Sequence, residues 1–175
     1  MVKNIFDTRK LLIIHASAVL INGEALLFLG KSGTGKSTVC QLLRPYATQI
    51  ADDWVYLMPC DDNRWRMASA DARKFYTLSE QQLANLVLTP VNTILSLSQA
   101  KEFALARLND MTVCRCLVNA FYEVWPNINA DRNLGRAVFP WIASLARMVP
   151  GYELSFTRSK NLFSFLVKEI DMAFD

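Results

Sequence analysis

Two apolar runs meet at a sharp polar turn, and the second run empties directly into a glycine-rich loop. Residues 11 to 21 are rich in β-formers and stop at Asn22-Gly23, after which Glu24 to Leu29 reads Glu-Ala-Leu-Leu-Phe-Leu. An Asn-Gly pair between two such runs predicts a hairpin, because a type I′ turn needs positive φ at both central residues. The returning strand continues as Gly30-Lys31-Ser32-Gly33-Thr34-Gly35-Lys36-Ser37, followed by a short apolar helix from about Lys36 to Leu43 that Pro45 stops.

Gly30-x-x-x-x-Gly35-Lys36-Ser37 matches the eight-residue P-loop pattern in full. Glycines permit backbone angles that aim successive N–H groups at one anion, and the helix adds its positive end. Lys36 places a point charge between the outer phosphates, and the Ser37 hydroxyl suits Mg²⁺. The expected ligand is therefore a nucleoside triphosphate, taken as Mg-ATP. Its binding set is Gly30, Ser32, Gly33, Thr34, Gly35, Lys36, Ser37 and Thr38, with Ser32 and Thr34 at variable positions of the pattern.

Thr48 to Met58 reads as one buried strand running through Asp52-Asp53. Charges inside such a strand are costly unless paired or placed on a metal, and a P-loop protein uses an acidic strand end to hold the Mg²⁺ shell. An ordinary exit from strand to loop is the plainer alternative. His15 is the only histidine of the chain and sits on the first strand, where a lone histidine is more often structural than catalytic.

Further along, Cys60 to Asn63 reads as a turn and Arg64 to Ala68 as a returning strand. Ser79 to Gln82 resembles a capping box, and Val91 to Leu97 reads as a strand. Asp110 caps a helix to Val124, a polar connection spans Asn127 to Gly135, and a helix bearing Pro140 runs to Met148. Tyr152 to Thr157 is a strand and Leu162 to Phe174 a final helix. The class is α/β, with a mixed sheet in which an antiparallel hairpin feeds the P-loop and helices pack around it. At 175 residues, with no linker between elements, residues 1–175 read as a single nucleotide-binding domain.

Composition narrows the partners. A net charge of +3 with scattered basic residues gives no footprint for nucleic acid. The longest apolar stretch falls short of the ~20 residues a bilayer requires, and the apolar core before His15-Ala16-Ser17-Ala18 is too short for a signal peptide, so a cytoplasmic location away from membranes is expected. With Cys40, Cys60, Cys114 and Cys116 in no zinc spacing, the cysteines read as buried thiols.

The order His15, hairpin, Gly30 to Ser37, then Asp52-Asp53 resembles the catalytic domain of HPr kinase/phosphorylase. It is closer still to the small serine-kinase-like proteins related to that domain, which share a core with phosphoenolpyruvate carboxykinase. The matching segments are His15 through Thr38 and Ile50 through Leu57, with weaker matches at Asn92 to Leu97 and Tyr152 to Phe156. The resemblance implies an ATP-dependent kinase acting on a protein or peptide with an acceptor serine. It places His15 by the transferring phosphate, Lys36 on the phosphates and Ser37 on Mg²⁺. Asp52 and Asp53 would share metal binding and the general-base role, Asp52 being favoured as base and Asp53 at the metal. Related kinases assemble into rings, which leaves a homo-oligomer open.

The chain departs from that family in lacking its Leu-Glu-x-Arg-Gly segment and its large N-terminal domain. Arg64, Arg66 and Arg73 are candidate phosphate or substrate holders, against a reading as solvated surface charges. The missing Glu segment motivates a second hypothesis, a catalytically weak ATP-binding regulator or adaptor. Phe139, Trp141, Phe163 and Phe165 would then offer a partner surface, although their helical spacing favours a place in the core.

Overall fold

Strand β1 (Leu12–His15) and strand β2 (Ser17–Ile21) are separated by Ala16 alone, yet they lie in different sheets. The computed structural model describes residues 11–60, 62, 64–69, 88–124 and 132–173. The hairpin turn is present as read: Asn22 and Gly23 take φ of 50° and 89° and join β2 to β3 (Glu24–Leu29). Helix α1 spans Lys36–Leu43, where the apolar spacing placed it.

A second change of sheet occurs between β4 (Thr48–Ala51) and β5 (Trp54–Pro59). The single strand expected over Thr48 to Met58 is thus two strands. The break falls at Asp52-Asp53, with Asp53 in the left-handed region at φ 79°. Two adjacent carboxylates would each have to be buried on one face of a continuous strand, and the turn spares them that. The two crossovers lie side by side: Ala18 pairs with Ala51 in one sheet, His15 pairs with Trp54 in the other, and Ala16 N donates to Asp53 O at 3.1 Å.

The remaining elements are β6 (Trp65–Ser69), β7 (Thr89–Pro90), β8 (Thr93–Gln99), β9 (Ala104–Arg107), α2 (Asp110–Val124), α3 (Arg132–Met148), β10 (Gly151–Phe156) and α4 (Leu162–Ala173). One sheet is antiparallel in the order β1-β5-β6-β7; the other is mixed in the order β4-β2-β3-β8-β10-β9. In the mixed sheet β3 runs antiparallel to β2 and parallel to β8, which is parallel to β10. Two sheets replace the one that was expected, and β9 was not anticipated, its alternation being short and exposed.

The continuous apolar run of β3 follows from burial on both faces. Ala25, Leu27 and Leu29 join a core with β1, β5, α2 and α3, while Leu26 and Phe28 join another with α1, β10 and α4. Pro140 lies inside α3. Asn109, rather than Asp110, caps α2 by accepting a 2.9 Å hydrogen bond from Thr112 N. The expected capping box at Ser79 to Gln82 and Arg73 lie outside the described residues. No described helix is long and apolar enough to cross a membrane.

Candidate functional site

The parallel strands β3, β8 and β10 bring their carboxyl ends together, and the glycine-rich loop sits there, as ligand loops of α/β sheets do. Gln99, the last residue of β8, donates from Nε2 to Gly33 O and Thr34 O at 3.3 and 3.4 Å. Thr34 closes the loop on itself, its N and Oγ1 both donating to Lys31 O at 3.1 and 2.8 Å. Gly33 and Gly35 take φ of 85° and 106°, conformations that admit side chains poorly. Thr38 follows in the first turn of α1.

Lys36 is buried, and its Nζ donates to Gly30 O at 2.6 Å and Lys31 O at 3.4 Å. Burial lowers its pKa below the ordinary lysine value; the charges of Glu123, Asp53 and Asp52 pull the other way. The ammonium is thus folded onto its own loop, aimed at backbone oxygens that a phosphate oxygen could replace.

The two crossovers deliver the rest. Asp52 Oδ1 accepts from the buried Ser17 Oγ at 2.8 Å and lies 3.5 Å from Ser37 Oγ. Asp53 Oδ1 stands 3.0 Å from His15 Nε2, and the other ring nitrogen, Nδ1, meets the Glu123 carboxylate. His15, Lys36, Ser37, Asp52 and Asp53, spread over the end of β1, the first turn of α1 and the turn between β4 and β5, are therefore brought to one mouth. By these distances Asp52, not Asp53, is beside Ser37, and Asp53 is beside His15. Asp53 sits on a left-handed backbone, at φ 79°, and its charge also acts on Lys36.

Glu123 escaped the sequence reading, since it belongs to no motif and lies in a helix with unremarked periodicity. A cavity of about 610 Å³ opens beside it, lined by His15, Lys31, Ser32, Asn119, Tyr122 and Glu123. The spacing of Asn119, Tyr122 and Glu123 at i, i+3 and i+4 was the available signal that one face of α2 roofs the loop.

Other candidates fall elsewhere. Arg64 Nε and Arg66 Nη2 both bind Asp62 Oδ2, at 3.1 and 2.9 Å, and Asp62 is held below its ordinary pKa chiefly by Arg66. Burial, with the Asp52 charge nearby, pushes the Cys40 thiol up to about 12, so it stays neutral. Trp141 packs edge-on to Trp65, Phe163 stacks on Tyr46, and Phe165 stacks on Phe103. Phe139 alone of the four expected aromatics is exposed, at 56%.

Residues 1–171 match the model of a family described as SynChlorMet cassette protein ScmC. No curated protein matches the chain. Among solved structures, the HPr(Ser) kinase/phosphatase from Coxiella burnetii is similar at 12% identity and a TM-score of 0.49, over 93% of this chain and 92% of that one.

Proposed function

The chain belongs to the SynChlorMet cassette protein ScmC family, and we propose that this member is an ATP-dependent serine kinase acting on a protein or peptide. The observation that carries the reading is the meeting of Lys36, Ser37 and Asp52 with His15 and Asp53 at the mouth of one glycine-rich loop. Lys36 and the loop N–H groups bind the phosphates of ATP. The resemblance of the same residues to HPr kinase-like proteins supports the choice of a serine acceptor.

Ser37 Oγ and Asp52, 3.5 Å apart, would hold Mg²⁺. No group of three or more His, Cys, Asp or Glu among the described residues would hold a metal ion by itself. That suits Mg²⁺, which takes one or two carboxylates and completes its shell with phosphate and water. When bound, it neutralises phosphate charge.

Transfer needs positioning more than covalent chemistry. The serine hydroxyl lies against Asp53, whose carboxylate takes its proton as the bond from serine oxygen to the γ-phosphorus forms. The bond from that phosphorus to the β,γ-bridging oxygen breaks, and ADP leaves. His15 orients Asp53 through its Nε2. Asp53 suits this role because its side chain is 71% exposed.

Incubation with γ-labelled ATP and Mg²⁺, together with proteins encoded in the same cassette, tests the reading. Acid-stable label on a partner serine is expected with the wild type and is expected to vanish with Lys36→Ala. Label that survives this substitution would sink it. A second reading, a nucleotide-binding regulator, is favoured by the absence of a Leu-Glu-x-Arg-Gly segment. It expects tight ATP binding with no labelled partner.

A further inference from the structure

Glu123 is the penultimate residue of α2, where the helix presents its negative end. That last turn contains no basic residue, so a carboxylate there is unfavourable within its own helix. Its compensation lies outside: His15 Nδ1 meets it directly, and among the carboxylates around Lys36 it does the most to favour the charged ammonium. The position makes sense as part of the site rather than as part of the helix.

The geometry of His15 says what that part is. One ring nitrogen is held by Glu123 from α2, the other by Asp53 from the crossover turn. An imidazole gripped at a single nitrogen can turn about its second side-chain torsion, which is broad and nearly two-fold. Gripped at both nitrogens by carboxylates from separate elements, it is fixed in plane and direction. Asp53, 71% exposed on a left-handed backbone, is in turn steadied by that ring. Glu123 itself is only 27% exposed and lies on the far side of the ring from Asp53.

We propose that Glu123 is a positioning residue of this site: through His15 it fixes the direction of the Asp53 carboxylate, without itself taking the acceptor proton. The effect on turnover rests on the kinase reading; the locking of the ring does not. The same arrangement, a carboxylate setting the orientation of a histidine that serves a second group, is a recurrent way of fixing a ring.

Because the chain has one histidine, a nitrogen-15 NMR spectrum of its ring contains a single Nδ1/Nε2 pair. Glu123→Gln is expected to move the Nδ1 resonance while the protein keeps its cooperative melting. Turnover is expected to fall about 10-fold or more, the usual cost of losing such a partner. In the residual activity of a His15→Ala background, Glu123→Gln is expected to add nothing, because the two act as one unit. Equal losses with and without His15 would overturn the proposal, as would an Nδ1 resonance that stays in place. If the wild type transfers no phosphate to any partner, the kinase reading fails, and the Nδ1 resonance alone decides whether Glu123 locks the ring.

Discussion

Phe156, the last residue of β10, lies under Gly35: a β-carbon built on that glycine would stand 2.7 Å from the tip of the ring. The backbone there is left-handed, at φ 106°. The glycine that precedes Lys36 is therefore required twice, once by conformation and once by the core beneath it. Gly35→Ala is expected to lower stability by roughly 1–3 kcal/mol and to abolish ATP binding. Adding Phe156→Leu is expected to return part of the stability and none of the binding, as thermal melts and nucleotide titration would register.

Ser17 is buried and gives its hydroxyl proton to Asp52. Ser17→Ala removes a hydrogen bond to a charged group and leaves that carboxylate less satisfied. A loss of roughly 1–3 kcal/mol is expected from urea denaturation. The Mg²⁺ concentration needed for half-maximal transfer is expected to rise, since Asp52 would be less firmly aimed at Ser37.

Asp53 occupies a left-handed backbone that asparagine also tolerates. Asp53→Asn is therefore expected to stay within about 0.5 kcal/mol of wild-type stability while losing phosphoryl transfer. Asp52→Asn is expected to weaken the dependence of ATP binding on Mg²⁺ instead. Identical phenotypes for the two variants would contradict the division of roles read from their distances.

Lys36 carries a pKa lowered mainly by burial from the ordinary 10.5. Holding it charged in the fold has a cost that is fully present below its folded pKa. Between that value and 10.5 the unfolded chain binds more protons than the folded one, so stability rises with pH across this window. The stability of the wild type relative to Lys36→Met is expected to increase as pH climbs toward 10.5 in urea titrations. Parallel curves for the two proteins would count against a buried, destabilised ammonium.

Much of the local structure was legible in the sequence. Asn22-Gly23 set its turn, and Lys36 to Leu43 kept its bounds because Pro45 forbids continuation. What stayed hidden was long-range. Nothing in Leu11 to Ile21 marks Ala16 as the point where the chain leaves one sheet for another. Nor does the run from Thr48 to Met58 reveal more than that its two aspartates are awkward. That awkwardness was the clue to the break, because a left-handed turn exposes what a strand would have buried. The site followed the same pattern: the loop and the acidic pair carry motifs, whereas Glu123 reaches His15 across 108 residues of chain. Such a contact is fixed by the packing of α2 on β1; the spacing of Asn119, Tyr122 and Glu123 marks a shared helix face but not the strand it meets.

Phosphoserine on a cassette-encoded partner, quantified by mass spectrometry after incubation with Mg-ATP, tests the central claim most directly when wild type, Lys36→Ala and Asp53→Asn run side by side. The account predicts phosphoserine with wild type alone, while Asp53→Asn still binds ATP. Phosphoserine formed equally by Asp53→Asn, or ATP bound tightly by the wild type with none formed on any partner, would contradict it.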